Sequence, residues 1–306
     1  MMRRRIQPPL ASTRRAAVRR VAGLLPGRGC LLRILLTAAA VAAVAPTPSV
    51  YAQAATAYGK VSAVSLDRGY RQFYNGRYES AVAVALPQCL SDMPDLAACE
   101  LTTAALHFQI RRALGDEKDR DKALKACVVC PALMTTFMDA TRRGQEVARA
   151  RLEADAADDG ALFLLGKVDL NYVWLQLGTL GRKTGWKEYW EARHSLDDLL
   201  ERSPDHVRGR VARAWIDYIV DTRMPRGTKW LLGGGNRKRG LRVVADAAGE
   251  PAEFFVATEA SFALWDMQVR EKKIDEAVVT ASKLARDFPE NQELIKFLAE
   301  HPSATP

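Results

Sequence analysis

Ala157-Asp158-Asp159, Pro204-Asp205-His206 and Pro251-Ala252-Glu253 are three short polar turns standing 47 residues apart, twice, and Pro289-Glu290-Asn291 follows 38 residues after the third. Between the turns, apolar residues return every three or four positions, and no stretch alternates with period two. The spacing predicts an all-α chain: a superhelical array of antiparallel helix pairs, each pair burying its apolar face only against its neighbours. Working outward, helices are expected over 66–74 and from 77, then over 96–114, 118–127, 131–141 and 145–154. The clearest pairs follow: 161–177 with 186–201, 207–220 with 237–248, and 253–269 with 274–286, closed by a lone helix over 292–300. This is one elongated domain from 60 to 300, about six pairs long.

Three of the second helices share a pattern. Lys187-Glu188-Tyr189-Trp190-Glu191-Ala192-Arg193 precedes Leu199-Leu200, Lys273-Ile274-Asp275-Glu276-Ala277-Val278 precedes Leu284, and Asn236-Arg237-Lys238-Arg239-Gly240-Leu241 opens the third. With the Pro-Asp and Pro-Glu turns, these segments resemble tetratricopeptide repeats, best over 186–206 and 273–299. The resemblance implies a TPR-like α-solenoid that works by binding a protein or peptide. A plain repeat of that kind has about 34 residues, so each 47-residue unit carries about 13 more. The extra residues fall between first and second helices, at 178–185 and 223–235. Equivalent loops of stacked units share an edge, and insertions along one edge are where such arrays bind.

That edge is basic: residues 181–240 hold 14 Lys or Arg against 8 acids. Gly233-Gly234-Gly235-Asn236 runs into a helix starting at Arg237, where unpaired amides beside Arg237 and Lys238 would suit an anion. Four tryptophans fall in the same region, and aromatic walls with a few cations describe a small-molecule cleft. The candidate ligand-binding residues are therefore Trp186, Trp190, Trp215, Asp217, Arg223, Trp230, Gly234, Arg237 and Lys238. The competing reading puts the tryptophans into interfaces and the glycines into tight turns. A second candidate is a polar groove on the first helices, where Asp169, Asn171, Asp217 and Asp221 interrupt apolar runs and Arg213 can pair with Asp217. The stretch from Trp230 through Gly233-Gly234-Gly235-Asn236-Arg237-Lys238 to Gly240 is also similar to one in periplasmic T-components of TRAP-type transporters, over roughly 160–250. That resemblance implies a solute-binding accessory to a transport system, with a small anionic or amphipathic solute. It places Trp215, Trp230 and Arg237 around an enclosed cavity.

The first 52 residues carry nine Arg and no acid, then an apolar run from 31 to 45 and Val50-Tyr51-Ala52. This is the form of a cleaved signal peptide, with a retained anchor as the alternative. A linker (53–59) and a disordered tail (301–306) frame the domain. The expected location is periplasmic or secreted, in a bacterial cell envelope, with no membrane span after cleavage. Without that segment the chain holds 36 basic and 36 acidic residues, so the net +9 belongs to the leader. Nucleic-acid binding, which needs a cationic surplus, is excluded on that balance.

Four cysteines remain, Cys89, Cys99, Cys127 and Cys130, which in an exported chain read as two disulfides with three possible pairings. Local loops favour Cys89–Cys99 and Cys127–Cys130; crossed pairing stays open. Pro131 stands where a haem-attachment motif needs His, and no strand-helix-strand unit supports a thiol oxidoreductase. The four histidines, His107, His194, His206 and His301, have no metal-ligand spacing, and no nucleophile elbow occurs. The chain is expected to be neither an enzyme nor a metal or cofactor protein.

Overall fold

In the computed structural model the described residues are 65–302, apart from 224–226 and 228. The expected signal peptide (1–52), the linker (53–59) and tail residues 303–306 lie outside them. The regular elements among the described residues are all helices, with no strand among them. α1 (65–74) is followed by α2 (Tyr78–Cys89). α3 (Leu96–Leu114) pairs with α5 (Cys130–Ala154) across the short α4 (Arg120–Ala126). α6 (Asp159–Val173) ends in a π-helical turn, Trp174–Thr179, and pairs with α7 (Trp186–Arg202). α8 (Val207–Arg223) pairs with α9 (Arg237–Gly249) through a 3-10 turn at Lys229–Leu232. α10 (Phe254–Arg270), α11 (Ile274–Asp287) and α12 (Gln292–Glu300) complete the sequence.

All four turns that set the spacing fall between helices. Polar side chains there satisfy amides that a helix start leaves unpaired. Asp158 accepts from Ala161 N (2.9 Å), and Asn291 accepts from Glu293 N and Leu294 N. One expected break does not occur. Arg142-Arg143-Gly144 reads as a turn, yet 130–154 is one helix. Gly144 is used there for space, since a Cβ would come within 3.2 Å of Cys99 and Val168 on the crossing helices.

The pairs pack through successive apolar clusters, one joining α6, α7 and α8 around Leu196 and Ile216, the next joining α8, α9 and α10 around Tyr218 and Met267. The first helix among the described residues does not end the run of contacts. Tyr74 of α1 packs against Phe255 and Phe262 of α10 and Phe288 after α11, with ring centroids 5.1–6.3 Å apart. Asn291 Nδ2 donates to the Tyr74 carbonyl at 2.7 Å, and Arg77 pairs with Glu290 at 2.7 Å. The circuit of helix contacts thus closes on itself.

Cys89 and Cys99 lie at bonding distance, as do Cys127 and Cys130. Two such pairs fit an oxidising, extracytoplasmic environment. No single helix among the described residues is long and apolar enough to cross a membrane.

Candidate functional site

The glycine-rich segment is shaped first by packing. An added Cβ on Gly235 would lie 2.6 Å from the Asp217 carbonyl oxygen, and one on Gly240 would lie 2.8 Å from that of Ala214. Both obstacles are backbone of α8, so only glycine lets the loop and α9 settle there. The turn before it is fixed to α7: Tyr189 Oη and Arg193 Nη1 donate to the Leu232 carbonyl at 2.8 and 3.2 Å, and Arg193 Nη2 donates to that of Gly233. Leu232 itself is buried against α7 and α8.

Between this segment, the end of α8, the start of α9 and the end of α10 lies a cleft of about 920 Å³. Arg223, Lys229, Arg237, Lys238 and Arg270 line it, against the carboxylates of Asp221 and Glu271. Lys229 is ion-paired with Asp221, Arg237 reaches Glu271 at 3.4 Å, and Arg270 bonds Asp266 at 2.9 Å. Arg223 and Lys238 have no carboxylate partner among the described residues. The expected anion seat at the start of α9 is taken by the chain's own carboxylate: Arg237 N donates to Asp221 Oδ2 at 2.9 Å, and Arg239 N to Asn236 Oδ1. Hydrogen bonds from Lys229 and then from the Arg237 amide hold the Asp221 carboxyl below its usual range.

Of the nine residues expected from sequence, Arg223, Arg237 and Lys238 meet in this cleft. The four tryptophans do not form its walls. Trp215 is half-buried, edge-on to Tyr218 and under Arg270; Trp190 stacks on His194; Trp186 packs edge-on to Tyr189. Trp230 points out, 72% exposed. Gly234 sits at φ +73° in the turn that precedes α9, its amide bonded to the Lys229 carbonyl. Asp217 is buried and accepts from Arg213 Nη1 at 2.6 Å, so it is spent inside the fold.

The polar groove on the first helices is not seen either. Asn171 is buried and donates to Thr103 Oγ1 at 2.9 Å, tying α6 to α3. Asp169 is fully buried and accepts from Gln145 Nε2 at 2.7 Å, with the Glu191 carboxyl as its charged neighbour. Burial pushes its carboxyl up to about 8.

What the first helices do share lies elsewhere. Glu100 of α3, Lys167 of α6, Arg208 of α8 and Glu259 of α10 meet in one largely buried ion network, with Tyr70 of α1 at its edge. Lys167 Nζ donates to Glu259 Oε1 at 2.6 Å and Arg208 Nε to Oε2 at 2.5 Å. Both cations also face Glu100, at 3.6 and 3.5 Å, and Tyr70 Oη donates to Glu100 Oε2 at 3.3 Å. Burial would raise the Glu259 carboxyl, but Arg208 and Lys167 outweigh it and hold it at about 2. The sequence did carry a signal for this network. Glu100 and Glu259 each stand as a single acid within a mainly apolar run, Glu259 between Phe254-Phe255-Val256-Ala257 and Phe262-Ala263-Leu264, whereas Arg208 opens α8 among Arg210 and Arg213 and gives no such signal.

Among the described residues no group of His, Cys, Asp or Glu is placed to hold a metal ion. His107, half-buried where α3 faces the π-turn, bonds Thr179 Oγ1 at 2.8 Å and is driven down to about 4 by desolvation and then Arg111. No protein-family model, no curated protein and no solved structure matches the chain.

Proposed function

We propose that this chain is an exported, non-catalytic scaffold of tetratricopeptide-like helix pairs that binds an anionic ligand in the α8–α10 cleft. The observation that carries the reading is the imbalance there: five cations against two carboxylates, with Arg223 and Lys238 facing no carboxylate partner among the described residues. A partly enclosed cationic surface of that size raises the local concentration of anions and holds them by charge-assisted hydrogen bonds. The similarity of the Trp230–Gly240 stretch to TRAP-type T-components points the same way, toward a solute-binding accessory. Calorimetric titration with glycerol 3-phosphate, a dicarboxylate and neutral glycerol tests it. The anions should bind and glycerol should not, and R237A/K238A should weaken anion binding at least tenfold. Equal binding by the double variant, or none by the native chain, overturns the reading.

A protein or peptide partner is the second reading, and one feature favours it. Val128 and Val129 stand exposed between the bonded Cys127 and Cys130, an apolar tip with its backbone clamped. A groove along the first helices gains less support, since their charged side chains pair with each other. Cross-linking from position 128 in the exporting host would capture such a partner; a clean blank there removes the reading.

A further inference from the structure

Trp230 and Leu231 are 72% and 53% exposed, side by side on the turn that leads to α9. Their exposure is not slack. Gly233 N donates to the Trp230 carbonyl at 3.1 Å, Gly234 N to that of Lys229 at 2.9 Å, and the next residue, Leu232, is buried and bonded to α7. Leu232 folds inward, so the turn presents Trp230 and Leu231 together as an adjacent apolar pair. These two large apolar groups project beside a cleft lined by Arg223, Lys229, Arg237 and Lys238.

A protruding Trp-Leu pair backed by cations has the composition of a bilayer interface site. The indole sits at headgroup depth, the aliphatic chain enters the acyl boundary, and the cations meet phosphates. A protein partner fits less well. Stable protein interfaces cover about 800 Å² on each side, around a core of several apolar residues, whereas two suffice for shallow insertion when charge supplies the rest. We propose that this tip docks the protein onto an anionic phospholipid surface, with the cleft cations on headgroup phosphates. The proposal rests on the anion-binding reading of the cleft and names the source of the anion.

The test uses the full chain with vesicles of phosphatidylglycerol and phosphatidylethanolamine whose acyl chains are brominated near the headgroup. Phosphatidylcholine vesicles serve as the comparison. Bromine quenches only tryptophans that reach it, so the difference between native chain and W230F isolates position 230, and substituting this exposed side chain leaves the core intact. Quenching is expected on the anionic vesicles, absent from W230F although that variant still sediments with them. R237A/K238A should bind about 25-fold more weakly, about fivefold for each cation at about 1 kcal/mol. Quenching that is equal in W230F, or equal on phosphatidylcholine, overturns the docking. If glycerol 3-phosphate binds the cleft while Trp230 stays unquenched, docking falls and the anion cleft stands. If vesicles quench Trp230 but R237A/K238A changes nothing, the cleft reading falls and this inference with it.

Discussion

Replacing Glu259 by Gln tests whether the buried charges hold α3, α6, α8 and α10 together. Gln keeps the size and can still accept one hydrogen bond, but it leaves Lys167 and Arg208 facing Glu100 alone. The Glu259 carboxyl is held at about 2 against an ordinary 4.5. That difference, about 2.5 units at about 1.4 kcal/mol each, gives about 3 kcal/mol. Breaking a buried pair by removing one partner costs about 3–5 kcal/mol, in the same range. Because the folded carboxyl is depressed, its contribution is present above about pH 4.5 and lost as pH falls toward 2. Urea unfolding followed by circular dichroism should therefore separate native chain and E259Q by about 3 kcal/mol at pH 7, with the gap closing toward pH 2. A gap below about 1 kcal/mol at pH 7 refutes the reasoning, as does one that is the same at both ends.

Three further outcomes follow from the packing. G240A should lose about 1–3 kcal/mol, because its Cβ meets the Ala214 carbonyl oxygen, while G249A, open on all sides, should lose nothing; urea midpoints decide it. D169N should gain stability as pH rises from about 4 to 8, where the unfolded chain releases a proton that the folded one keeps, reaching at most about 4 kcal/mol at pH 7. A gain that is flat with pH would show that Asp169 is ionised in the fold. C89A/C99A should cost about 3 kcal/mol by freeing a ten-residue loop, read as a drop in Tm; no drop would mean the pair is not bonded in solution.

Much of the helical order was legible in the sequence because helix starts and turns are local chemistry. The bounds 96–114 and 292–300 came out as read, since Asp95 and Asn291 supply N-caps just before apolar runs. Both cysteine pairings favoured by short loops are the ones found. Gly144 misled because a glycine needed for close helix crossing looks the same in sequence as one needed for a turn. The cleft was half legible. Basic residues around a glycine-rich loop announce themselves, and Arg223, Arg237 and Lys238 do line the cleft. Which tryptophan faces inward depends on neighbours dozens of residues away, and that information is not local. Asp221 at the start of α9 shows the same limit. A helix start that welcomes an anion is easy to recognise, but whether the chain fills it from 16 residues upstream is not.

The packing of α1 on α10, α11 and α12 changes how damage spreads. In an open array a lost end unit leaves the far end untouched. Here the Asn291–Tyr74 bond spans 217 residues of sequence, and Tyr74 depends on Phe255, Phe262 and Phe288 for cover. A protease that trims the chain back past Phe288 therefore takes one ring contact and the Asn291 bond from Tyr74, far back along the chain, and leaves it Phe255 and Phe262. Tyr74 therefore gains its full cover only once the last helices have folded, although Phe73 on the same helix already packs on Tyr78 and Phe108 of α2 and α3.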